Sequence, residues 1–212
     1  MSDTVRFYFS FRSPYSWLAF HRIGPALAKL PVALDPIPVF PPPNYANDPS
    51  GVPAKAAYIL HDVPRIATAY GLPYRRPEKL DCDWVRPHAA FLRAKDQGAA
   101  DAFGKALFAA RWERGLDVGE NAVMAEASRT SGLDAHAVLA AADDEAMHKR
   151  VWEGMIQGAS EDGIFGVPYF VFRAEHFWGN DRIEWLVRAI RAAHGMPVVD
   201  LTRDFLQPLD RP

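Results

Sequence analysis

Ser13 is the residue whose setting most suggests chemistry. It stands in FYFSFRSPYSWLAF (residues 7–20), where an alternating apolar run meets Ser-Pro and then an amphipathic segment. A serine there serves as a helix N-cap, and Pro14 fits the first helical position because the N–H it lacks would find no intrahelical partner. The hydroxyl then lies beside free backbone N–H groups at the positive end of a helix dipole, which favours an anion, including a thiolate. Read alone, the pattern is that of a plain capping serine, since Ser-Pro helix starts are common and most do no chemistry. Asn44 and Asn47 sit in PPPNYANDPSGVP, a loop that either connects elements at the surface or lines a site with neutral donors and acceptors. Cys82 is the single cysteine, so intrachain disulfides, Cys-rich zinc sites and dithiol redox chemistry are excluded. Its neighbours Asp81 and Asp83 should raise the thiol pKa and leave it inert. His88, His136 and His148 have no second ligand at metal spacing and read as surface or structural histidines.

The elements that must position Ser13 follow from pattern. Residues 5–11 alternate as a strand, and the helix from Ser13 puts Trp17, Phe20, Ile23, Leu27 and Leu30 near one face. Gly24-Pro25 should bend this helix without ending it. Residues 32–39 form a second strand, which Pro36 and Pro38 make short or marginal as a central one. Residues 54–158 are alanine-rich with apolar spacing of three and four, and glycine, proline and aspartate divide them into five or six helices. Within them Phe103, Leu107, Phe108 and Trp112 make a bulky stripe that reads as core or as a helix interface, and a homodimer would use such a face. Residues 166–173 and 175–178 form a β-hairpin. A last helix follows, with Asn180 as N-cap, Asp181 complementing the dipole, a buried face of Ile183, Leu186, Val187 and Ile190, and Gly195 as the left-handed stop.

The order β-α-β, helical insertion, β-β-α is the thioredoxin topology, with residues 1–53 and 159–212 forming a discontinuous thioredoxin-like domain around an inserted helical subdomain, 54–158. The chain has 212 residues, 49% hydrophobic and 24% charged, enough for a sizeable core. A net charge of -2 without basic runs argues against a nucleic-acid partner. No apolar run approaches membrane-spanning length, so no membrane partner is expected. The start MSDTVRFYF lacks the pattern of a signal peptide, and a cytosolic (cytoplasmic) protein is expected.

Three motifs together, SPYSWLA from Ser13, GVPYFVF from Gly166 and FWGNDR from Phe177, resemble the 2-hydroxychromene-2-carboxylate isomerase family, related to kappa-class glutathione transferases and to DsbA-like oxidoreductases. Ser13-Pro14-Tyr15-Ser16 stands where DsbA-like relatives carry a cysteine-x-x-cysteine pair. The resemblance implies glutathione as cofactor, with Ser13 donating a hydrogen bond to its sulfur. It implies a cis Val167–Pro168 turn whose backbone pairs with the cysteinyl residue of glutathione, whereas from pattern alone Pro168 merely opens a strand. It implies that Trp178, Gly179, Asn180 and Asp181 hold the γ-glutamyl end, and that Lys55 meets the glycine carboxylate, although Lys55 also reads as a solvated helix lysine. Asn44 and Asn47 would face a small aromatic or electrophilic substrate, in a loop richer in proline than is typical of the family. The implied reaction is isomerisation of 2-hydroxychromene-2-carboxylate to trans-o-hydroxybenzylidenepyruvate through a reversible thiolate adduct, as in aromatic hydrocarbon catabolism. The alternatives are a kappa-like transferase that conjugates glutathione to electrophiles, against which GNDR speaks, and a non-catalytic glutathione-binding or chaperone-like thioredoxin-fold module.

Overall fold

A computed structural model describes residues 3–41 and 51–198. Strand β1 (Asp3–Phe9) leads into helix α1 (Pro14–Leu27) and strand β2 (Val32–Pro38). Six helices follow: α2 (Pro53–Ala69), α3 (Val85–Asp96), α4 (Ala100–Trp112), α5 (Asn121–Thr130), α6 (Ala135–Ala142) and α7 (Glu145–Glu161). The chain returns to the sheet as β3 (Tyr169–Phe172) and β4 (Glu175–Trp178), and helix α8 (Ile183–Ala193) ends the described fold. Sheet order is β2-β1-β3-β4, with β1 parallel to β2 and antiparallel to β3, and β3 antiparallel to β4. This is a DsbA-like thioredoxin fold with a helical insertion. None of the described helices is long and apolar enough to cross a membrane.

The prolines of β2 are tolerated because β2 is the edge of this sheet, where a missing ladder donor can face away from the neighbour. Alternation along β1 sends its side chains to two faces. Phe7 and Phe9 pack with Phe20 of α1, Phe9 also with Phe91 of α3 and Phe108 of α4, and Phe7 stacks on Phe170 with ring centres 4.8 Å apart. The insertion and the sheet therefore share one hydrophobic core. On the opposite face, Arg6 donates two 2.6 Å hydrogen bonds to Asp162 and the Tyr8 hydroxyl donates a third of 2.6 Å, fixing the end of α7 to the sheet.

Several expectations need correction. Helix α1 does not run on past Pro25 to Leu30: it ends at Leu27, where the Ala28 N–H bonds the Pro25 carbonyl in a tightened last turn. Strand β3 begins after Pro168, so the 166–168 segment is a turn ahead of the strand. The aromatic stripe of α4 is buried in the chain's own core, Phe103, Leu107 and Phe108 completely, so it offers no surface to a second copy. An interruption at Asp143–Asp144 went unexpected. Asp144 caps α7 by accepting the Met147 N–H at 2.8 Å.

Candidate functional site

At the carboxyl end of β1 the chain reverses through residues 10–13 into α1. Ser13 takes extended backbone angles there, and its Oγ accepts the Ser16 N–H at 3.2 Å. The same hydroxyl donates to the Val167 carbonyl at 3.4 Å. That contact is long against the usual 2.7–2.8 Å for O–H···O, so the proton is open to a stronger acceptor. The hydroxyl thus bridges the start of α1 and the turn ahead of β3, and the Val167–Pro168 bond in that turn is cis. Ser13's partners among the described residues are an amide and a carbonyl, neither of which is a base.

The facing turn is built by small residues. Gly166 lies against the Trp178 indole so closely that a Cβ there would stand 2.8 Å from Trp178 Nε1. The Gly179 N–H donates to the Pro168 carbonyl at 3.0 Å, tying the start of the next turn to the cis proline. Gly179 has φ 118°, which calls for glycine, and a Cβ there would also displace the exposed Asp181 carboxylate, whose Oδ1 would stand 2.5 Å away. The N–H of Val167, a half-buried residue, donates to no acceptor among the described residues.

Asn180 is not the N-cap that its sequence suggested. It lies inside a short 3-10 turn, Asn180–Arg182, and is buried. Its Oδ1 accepts from Arg22 at 3.0 Å and from the Tyr70 hydroxyl at 3.3 Å, and its carbonyl accepts from Arg22 at 2.8 Å. A tertiary partner has taken the side chain that would otherwise cap. Asp181 is exposed, with Arg182 2.9 Å from its carboxylate. Tyr15, overlooked although it lies inside SPYS, donates to Asp62 of α2 at 2.8 Å. Its pKa is raised, first by burial, then by Asp62, with a smaller contribution from Asp181. The bonds from Arg22 of α1 to Asn180 set the Gly179–Asp181 turn against that helix. Arg22, Tyr70 and Asp62 carry no local sequence signal for their roles.

Ser13, Val167 and Pro168 are therefore brought together directly, and Trp178 and Gly179 join them through Gly166 and Pro168. Lys55 is exposed in the first turn of α2. Asn44 and Asn47 lie outside the described residues. Cys82 follows Asp81, whose carboxylate lies 4.0 Å from Arg12 Nε. Its thiol pKa is pushed up to about 12, chiefly by burial and then by Asp117, not by the flanking aspartates. No cluster of metal-ligating side chains occurs among the described residues. A cleft of about 650 Å³ lies at the other end of β1, but the Arg173 and His194 that line it both face the carboxylate of Asp3, which also lines it.

The profile of the DsbA-like thioredoxin domain matches residues 4–191. The chain belongs to this DsbA-like thioredoxin-domain family. A 2-hydroxychromene-2-carboxylate isomerase of Sphingobium xenophagum is 29% identical over 193 residues, covering 88% of this chain and 97% of that one. Among solved structures, a 2-hydroxychromene-2-carboxylate isomerase superposes with a TM-score of 0.77 at 24% identity, covering 96% and 99% of the two chains. The cytosolic disulfide reductase DsbM from Pseudomonas aeruginosa, solved with GSH, superposes with a TM-score of 0.62 at 18% identity, covering 98% and 94%. Unlike a dithiol oxidoreductase, this DsbA-like chain has serine at both Ser13 and Ser16 and a single cysteine elsewhere.

Proposed function

We propose that this chain is a glutathione-dependent isomerase that converts 2-hydroxychromene-2-carboxylate to trans-o-hydroxybenzylidenepyruvate. The observation that carries the reading is the Ser13 hydroxyl, held at the start of α1 with its proton only loosely engaged by the Val167 carbonyl at 3.4 Å. The donor set fits glutathione: a hydroxyl proton and a helix dipole suit a thiolate, and the open Val167 N–H suits a peptide carbonyl laid alongside as an added strand. When bound, glutathione supplies the nucleophilic sulfur that opens the chromene ring and lets the freed bond rotate. Ser13 donates to that sulfur instead of attacking the substrate itself, since no base adjoins it among the described residues.

A hydrogen bond to a charged group contributes about 1.5–3 kcal/mol and a helix terminus about 0.3–1 kcal/mol. Together they lower a thiol pKa by about one to three units. Asp181, exposed beside the Gly179 turn, takes the ammonium of the γ-glutamyl end, and Lys55 takes the glycine carboxylate. Trp178 packs beside this edge. Asn180 contributes by fixing the turn, because Arg22 and Tyr70 already occupy its side-chain oxygen. The isomerase relative at 29% identity supports the choice of substrate, and the DsbA-like neighbour solved with GSH supports the choice of cofactor.

The test is spectrophotometric. Enzyme plus glutathione should open the chromene carboxylate faster than glutathione alone, and a chloro-aromatic electrophile should remain unconjugated. Conjugation of that electrophile would instead indicate a transferase. Glutathione binding without turnover of either compound would indicate a binding module.

A further inference from the structure

The turn that carries Ser13 leaves none of its amides open. The Ser10 N–H donates to Ser16 Oγ at 3.3 Å, the Arg12 N–H to Ser10 Oγ at 3.3 Å and the Ser13 N–H to the Ser10 carbonyl at 3.0 Å. Two further bonds come from outside the thioredoxin elements, and both act on Phe11. Its N–H donates to His88 Nε2 of α3 at 3.3 Å, and its carbonyl accepts from Trp112 Nε1 of α4 at 3.1 Å. The proton on His88 is set by its other nitrogen. Nδ1 contacts the Trp84 carbonyl, which can only accept, so Nδ1 carries the hydrogen and Nε2 is left as an acceptor. That acceptor also lies 3.4 Å from Ser10 Oγ, whose proton can therefore point toward it. His88 is completely buried among Phe9, Phe11 and Phe40. Burial holds it in the neutral form this arrangement needs.

We infer that His88 and Trp112 are positioning residues through which the helical insertion sets the place of the Ser13 hydroxyl, by gripping the N–H and the carbonyl of Phe11 two residues upstream. The role in catalysis rests on the reading of Ser13 as the partner of a thiolate. The grip itself does not. It gives the insertion a part in the chemistry beyond enlarging the core. The thioredoxin elements supply the turn and the helix dipole, and α3 and α4 supply two bonds that hold the turn in register.

Three variants and two readouts test this. His88→Phe keeps a ring in the core and removes the acceptor, His88→Gln returns an acceptor near the position of Nε2, and Trp112→Phe removes the donor to the Phe11 carbonyl. In the ligand-free protein, amide hydrogen exchange at Phe11, Ser13 and Ser16 should quicken by about tenfold in His88→Phe and Trp112→Phe, as expected for one lost buried hydrogen bond. Exchange at Phe172 and Ile190 should stay at the wild-type rate. His88→Gln should recover most of the protection. With glutathione and substrate, kcat should fall in step with the loss of protection while the KM for glutathione moves less. Unchanged exchange at residues 11–16, or a uniform rise across the whole chain, overturns the inference, as does full activity in a variant whose turn has loosened. The exchange readout needs no ligand. A wild-type protein that bound no glutathione would therefore contradict the functional reading while the grip on Phe11 was still judged on its own result.

Discussion

Two turns face one another across the candidate site, and they are built in opposite ways. The Ser10–Ser13 turn has each amide engaged, two of its bonds arriving from helices 77 and 101 residues away in sequence. The Val167–Pro168 turn keeps an N–H with no acceptor among the described residues, and its carbonyl takes only a long contact from Ser13. An N–H that has no acceptor among the described residues, beside a fixed hydroxyl, can pair with an incoming backbone carbonyl. One turn is closed to hold a group still. The other is open to receive a backbone.

The contrast can be broken from either side. The largest effect is expected from acid. An unperturbed histidine titrates near 6.5, whereas burial brings His88 down to about 4. Between those values the unfolded chain takes up a proton that the folded chain refuses. Stability therefore falls as pH drops from about 6.5 to about 4, by about 3 kcal/mol from this residue, and no further below. Denaturant melts across this range should show that slope in the wild type and a shallower one in His88→Gln. Next, Ser13→Ala removes the proton donor at the centre of the site, and kcat/KM should fall by about tenfold to a hundredfold. The fold should persist, because a lost N-cap costs only about 1 kcal/mol. On the open side, Gly179→Ala forces a side chain onto a positive φ and against Asp181. A loss of about 1–3 kcal/mol in unfolding free energy is expected, with weaker glutathione binding by calorimetry. The smallest effect is expected from Lys55→Ala. An exposed ion pair contributes about 0–1 kcal/mol, so the Kd for glutathione should rise by no more than about fivefold, and less at high salt.

Much of the frame was legible before any coordinates. Alternation in residues 5–11 followed by Ser-Pro gives a strand, a turn and a helix by local rules, although the strand runs Asp3–Phe9 and Ser10 and Phe11 already belong to the turn, and the prolines of residues 32–39 mark that strand as marginal in a central place. The hairpin and Gly195 were legible for the same reason, since turn chemistry is local. What failed was decided at a distance. Asn180 has every local mark of a cap, but Arg22, 158 residues earlier, takes its oxygen. His88 looked like one more lone histidine, because the Phe11 amide it accepts lies 77 residues away. The break at Asp143–Asp144 was local and was overlooked within an alanine-rich run that lacks glycine and proline, although the aspartate ahead of Glu145 is an ordinary cap signal. Ser13 itself was located by its cap pattern. Its meaning came from Val167, which no local pattern links to it.

The account turns on whether Ser13 holds a thiolate. Ultraviolet titration of glutathione bound to the wild type and to Ser13→Ala measures this directly, and Cys82, with its pKa pushed up to about 12, stays silent over the range. The bound thiol should titrate about one to three pH units below free glutathione in the wild type and return most of the way in Ser13→Ala. A bound thiol that titrates where free glutathione does, or that titrates identically in the two proteins, would contradict the account.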